Sequence, residues 1–229
     1  MRRPLLLVAL ALAHAAACAS ELTDIEMRWL KAGWSVVAYA KEQRLPLDIV
    51  AQPKSKPGDA PLAMGFVDGR CKLVLAMRGN PEGEKTLAQI DLPLLQPVVE
   101  AMVAHELGHC WRYVHGDWHT LPAGFRDLPE DLAPADKEMT RLRRDMRETR
   151  REEAFADLVG LAWTQSHHPA QYAAVHAWLA KVRDDQPVAG AHHDTRVWLE
   201  LARDPAAFGP GETPFERARA LWQQGLANE

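Results

Sequence analysis

The chain has 229 residues, 47% of them hydrophobic and 25% charged, with a formal net charge of −4, so it can bury a proper core and need not be more than one domain. A pI near 6.2 excludes the basic footprint of a nucleic-acid binder, and no nucleic-acid partner is expected.

At the start of the chain, Arg2 and Arg3 precede an apolar run over 5–17 that is followed by small residues. This is the pattern of an export signal; the run is short for a bilayer span and His14 interrupts it. Two processing outcomes stay open. Cleavage after Ala19 would release a soluble protein beginning at Ser20. Alternatively Ala15-Ala16-Ala17-Cys18 resembles a bacterial lipoprotein box, although Ala15 stands where a larger aliphatic residue is usual, and Cys18 would then carry lipid. The expectation is a signal peptide over 1–19, a single domain over 20–229 and a periplasmic or secreted product that meets a membrane only if Cys18 is lipidated. An oxidising compartment lets thiols pair, and cleavage after Ala19 leaves the even pair Cys71 and Cys110. A bridge between them would pin a predicted strand to a predicted helix; the alternative is two buried free thiols.

Thr23 and Glu26 have the form of a capping box, and IEMRWLKAGWSVVAYAKEQ carries apolar residues at helical spacing, which predicts one packing helix with Trp29, Trp34 and Tyr39 in the core. From Leu45 the character changes to LPLDIVAQP, a loop over 53–61, LAMGFV, Asp68-Gly69 and RCKLVLAM. Asp-Gly between two β-prone runs signals a hairpin, so a small antiparallel sheet of about three strands is expected. Imperfect alternation in RCKLVLAM assigns that strand to an edge or the lining of a cleft, where an extended peptide could add to it.

The run LLQPVVEAMVAHELGHCWRYV is apolar-periodic, with Pro97 tolerable in a first turn, and predicts a long helix that carries His105, Glu106 and His109. Residues four apart lie nearly on one helical face, so both imidazoles can point at one ion while Glu106, a step round, reaches a water bound to it. Zinc suits such a site, because it accepts neutral histidine nitrogens and carboxylate oxygen and keeps a position for water. Two core histidines are the plain alternative, but a pair bracketing a glutamate would bury polar groups without partners.

The stretch 116–134 is rich in Gly and Pro and reads as a loop; its Trp118, His119 and Phe125 either wall a site or belong to a plain connector. A long helix follows, whose arginines alternate with Glu138, Asp145, Glu148 and Glu152 in the manner of a solvated, salt-bridged face. Further helices are expected over 169–183, 195–202 and 213–226. The fold class expected is α+β, mostly helical, with the small sheet before the metal helix.

Two histidines do not complete a three-ligand site. His115 stands ten positions after His105, the spacing of the longer motif His-Glu-x-x-His-x-x-Gly-x-x-His, but Arg112 occupies the glycine position and the helix runs on without a breaker. Glu153 is the other candidate. It shares a helical face with Asp157, so one carboxylate can bind the metal while the other accepts from a ligand histidine, and the sequence turns apolar there in AFADLVGLAW. Glu152 lies one step off that face.

His-Glu-Leu-Gly-His followed by Glu-x-x-x-Asp on a helix resembles the zincin metallopeptidases, specifically the gluzincin branch, over about 62–163. The resemblance implies a zincin-like fold and one catalytic zinc on His105, His109 and Glu153. It further implies Glu106 as general base toward a zinc-bound water, and Asp157 orienting a ligand. The activity implied is an exported zinc endopeptidase acting on an extended peptide or protein. Members tend to carry a downstream group that stabilises the oxyanion, and AHHDTRVWLE offers His192, His193 and Arg196. His193 and Arg196 are taken as candidates, although spacing does not separate His193 from His192. The rival function is a non-catalytic metal-containing binding or assembly protein of the cell envelope, which would have no use for the base Glu106.

Overall fold

The computed structural model describes residues 21–125, 137–185 and 190–229; the expected signal with Cys18 and the second half of the 116–134 loop lie outside them. The chain enters helix α1 (Asp24–Ala32) through the expected capping box. Thr23 Oγ1 accepts from the Glu26 N–H and the Glu26 carboxylate accepts from the Thr23 N–H. The single helix expected there is in fact two, since the chain turns at Gly33 into α2 (Trp34–Glu42). A Cβ at Gly33 would lie 2.6 Å from Val103 Cγ2, so the bare backbone presses on the central helix where a side chain could not. The turn also rotates Trp34 outward, leaving it 57% exposed, whereas Trp29 is buried.

Strands β1 (Leu47–Ala51), β2 (Leu62–Val67) and β3 (Arg70–Leu75) make one sheet in the order β1-β3-β2. Asp68 and Gly69, with φ of 51° and 72°, form the tight turn that the Asp-Gly signal predicts, and β2 and β3 pair antiparallel. Two expectations are corrected here. β1 pairs with β3 in parallel, so the sheet is mixed. β3 is the central strand, not an edge: Cys71, Leu73 and Leu75 point into the core, with Lys72 and Val74 on the other, partly covered face. The open edge facing the rest of the molecule belongs to β2.

A short helix not foreseen in the sequence, α3 (Glu82–Ala88), leads to α4 (Leu95–Val114). Val98, Val99, Ala101, Val103, Ala104 and Leu107 are all buried, which takes in every face of α4 and marks it as the core helix. Helix α5 (Lys137–His167) is solvated in its first half, where Arg141 and Arg144 pair with Asp145 and Glu148 one turn on, and buried from Arg151 to Thr164. Its buried half packs antiparallel on α4, as the contacts of Gly160 with Ala101 and of Gly108 with Ala156 require. A Cβ at Gly160 would stand 2.7 Å from the Ala101 carbonyl oxygen, and one at Gly108 2.9 Å from Ala156 Cα; two glycines therefore bring the helix backbones into contact. Helices α6 (Tyr172–Asp184), α7 (Arg196–Leu201) and α8 (Pro214–Leu226) follow close to the expected ranges and close the core. Cys71 and Cys110 are bridged, tying β3 to α4. Closing a loop with a sequence separation of 39 residues stabilises the fold by roughly 4 kcal/mol. The architecture is α+β and mostly helical.

Candidate metal centre

Because α4 and α5 touch, side chains at the same level on their facing sides converge. His105 Nε2 and His109 Nε2, one turn apart on α4, face each other at 3.1 Å. From α5, Glu153 Oε2 lies 3.4 Å from His105 Nε2 and Glu153 Oε1 lies 3.4 Å from His109 Nε2. These three residues form a group that could hold a metal ion. The donor set fits one. The ring hydrogen of His105 is drawn to its other nitrogen, where Nδ1–H donates to Asp157 Oδ1 at 2.9 Å; Nε2 then presents a lone pair into the space that the His109 nitrogen and the Glu153 carboxylate also face. Three lone-pair donors aimed at one point repel unless a cation, a proton or a metal ion, sits between them.

Asp157 is fully buried and anchors more than the histidine. Arg183, near the end of α6, donates to it from Nε at 2.8 Å and from Nη2 at 2.6 Å, and Thr195 Oγ1 donates at 2.6 Å. Arg183 Nη2 also reaches Glu153 Oε2 at 3.3 Å. Burial works against the charge on Asp157, but Arg183 and His105 outweigh it and hold its pKa well below the usual carboxylate range. Glu153 is likewise lowered, against burial, by the two imidazoles. For His105 burial favours the neutral ring, yet Asp157 and Glu153 prevail and raise its pKa to about 10. The surroundings therefore call for positive charge at this point. Glu106 differs: burial pushes its pKa up, and the nearby imidazoles only partly offset this.

The group opens into a cavity of about 430 Å³ that runs along α4. At the Ala101 end its wall is apolar, built by Val175, Trp178, Leu179 and Val182 of α6 with Met102. At the other end, beyond His109, stand Trp118 and Phe66. The edge strand β2 lines its length from Leu62 to Phe66, and Glu106 and His193 both reach it.

The sequence candidates fall into two sets. His105, Glu106, His109, Glu153 and Asp157 are brought together, and His193 joins them with Nε2 3.4 Å from Glu153 Oε2, its pKa lowered by burial. Arg196 is not brought in: it does not line the cavity, and its guanidinium is bound to Asp194 at 2.7 and 2.9 Å. His192 is exposed and also lies off the cavity wall. His115 ends α4, where Nδ1–H donates to the Trp111 carbonyl and the ring stacks on Trp111. Glu152 is bound to Arg112. Arg183 and Thr195 escaped the sequence reading. No motif marks Arg183, since nothing in a helical run such as AWLAKVRD tells which basic residue folds inward. Comparison with family models, with curated proteins and with solved structures gives no match to the chain.

Proposed function

We propose that the chain is a zinc-dependent peptidase of the zincin, gluzincin-like type that hydrolyses peptide bonds in extended peptides or proteins, exported to the periplasm or beyond. The observation that carries this reading is the convergence of His105 Nε2, His109 Nε2 and the Glu153 carboxylate with Glu106 in one cavity. Zinc is favoured because ligand separations of 3.1 to 3.4 Å match a tetrahedron with bonds of about 2.0 Å, whose edges are about 3.3 Å. When bound, zinc supplies Lewis acidity, drawing the pKa of water toward neutrality and polarising a carbonyl oxygen.

The protein's own groups supply the rest. Glu106, whose pKa is raised by burial, removes a proton from water as its oxygen bonds to the carbonyl carbon. As the carbon–nitrogen bond breaks, Glu106 delivers that proton to the leaving nitrogen. His193, half-exposed beside Glu153, can donate to the carbonyl oxygen as negative charge gathers on it. Arg183, which stands in the cavity wall where Arg196 does not, adds a fixed positive charge to that side of the site. The open edge of β2 offers backbone groups to an extended substrate, the role first expected for β3.

The decisive variant is Glu106→Gln. It should keep one zinc per chain by elemental analysis and lower peptide hydrolysis by on the order of 10³-fold. Full zinc content in a parent that cleaves no peptide in a mixed library would instead favour the envelope binding protein.

A further inference from the structure

The loop that follows α4 is held in an unfavourable shape by a buried ion pair, and the residue it presents is Trp118. His119 has φ of +55°, a left-handed conformation that a non-glycine side chain rarely adopts and that persists only where the surroundings impose it. What imposes it is plain. Glu152, 1% exposed, accepts the His119 N–H at 2.8 Å and is clamped by Arg112 through Nε at 2.6 Å and Nη2 at 3.0 Å. The same Arg112 Nη2 donates to the carbonyls of Asp117 at 2.6 Å and Thr120 at 2.9 Å, gripping the loop on both sides of Trp118. The half-buried indole stands 5.6 Å from the His109 ring and meets Phe66 of β2 edge-on at 5.1 Å, while Phe66 is backed by Tyr113 at 4.0 Å. Strain, two buried charges and three rings converge on the placement of one side chain at one end of the cavity.

We propose that Trp118 is a specificity-determining residue: with Phe66 it forms an aromatic subsite on the His109 side of the metal centre that selects peptides bearing an aromatic side chain next to the scissile bond. Arg112 and Glu152 are positioning residues for it. The inference rests on the peptidase reading of the centre. An extended chain lying along β2 crosses the metal group, so one of the side chains flanking the scissile bond falls against Trp118 and the other against the α6 wall. Offset or edge-on packing with the indole and Phe66 favours an aromatic ring there over a charged group.

The test uses the zinc-loaded full chain and calorimetric binding of small hydroxamates, which chelate zinc and need no turnover. Two series carry a Phe, Leu, Asp or Lys side chain on one or the other side of the chelating group. In one series the parent should bind the Phe compound about tenfold or more tighter than the Asp and Lys compounds. Trp118→Ala should abolish that advantage with zinc content unchanged, and Trp118→Phe should restore it. Absence of aromatic preference in both series, or its survival in Trp118→Ala, overturns the inference. Trp118-dependent preference in a parent that hydrolyses nothing would overturn the peptidase reading and leave the subsite standing; hydrolysis without such preference would do the reverse. Glu152→Gln should mimic Trp118→Ala in selectivity, and retained preference there would overturn the positioning role. Should Glu152→Gln fail to fold, the Trp118 pair still decides.

Discussion

Two buried carboxylates on the touching helices each hold a histidine, and only one of these two histidines faces the cavity. Glu100 of α4, 2% exposed, accepts from Gln96 Nε2 at 2.9 Å, Trp163 Nε1 at 2.8 Å and His168 Nε2 at 2.7 Å. Asp157 of α5 accepts from His105, Arg183 and Thr195. Both are satisfied, as buried acids must be. They differ in what lies beyond the histidine. His105 has its second nitrogen aimed at His109 and Glu153 across an open cavity, whereas the Glu100 residues line no part of that cavity. A buried acid–histidine pair alone therefore does not mark a candidate metal centre; converging lone pairs with access to a cavity do.

Variants at the two networks should separate metal binding from stability. Glu153→Ala removes one of the three groups proposed to hold the metal and should weaken zinc binding by on the order of 10³-fold, measured by competition with a chelating dye, since three or four ligands share the binding energy of such sites. Glu100→Ala should leave zinc binding alone and cost about 3 kcal/mol in urea unfolding, because Trp163 and His168 lose a buried charged acceptor. A drop in zinc affinity in Glu100→Ala would erase the distinction. Asp157→Asn, which weakens the support of a ligand without removing it, should lower zinc affinity about 10- to 100-fold.

The pH dependence follows from the Glu100 network. Burial raises its pKa, but bonds from Ser35, Trp163, Gln96 and His168 outweigh this and hold it below the ordinary 4.5. A folded-state pKa below the unfolded value means that the contribution is complete above about pH 4.5 and fades as pH falls through the lowered value. Unfolding free energy of the parent should thus fall more steeply below pH 4.5 than that of Glu100→Gln. The smallest effect belongs to Arg196→Ala. Arg196 draws the Asp194 pKa down to about 2, but its side chain is 54% exposed and screened by solvent, so its loss should leave the urea unfolding midpoint where it is in the parent.

Much of this was legible locally. The hairpin at Asp68-Gly69, the capping box at Thr23, and the helical spacing of His105 with His109 and of Glu153 with Asp157 depend on residues a few positions apart, and the structure has each of them. The pairing of Cys71 with Cys110 was one of two readings, and packing decided it. The break at Gly33, the central place of β3 and the outward turn of Trp34 were not legible, since each depends on what the segment packs against.

From its sequence alone the chain determined which residues share a helical face, because a 3.6-residue period is a property of the backbone itself. Whether the face bearing Glu153 would meet the face bearing the histidines was decided by tertiary structure. That meeting needs the backbones of α4 and α5 to touch at Gly108 and Gly160. So too with Arg183 rather than Arg196 at the carboxylates: both are basic residues thirteen positions apart in the later part of the chain, and only the packing of α6 against α5 brings one of them within reach.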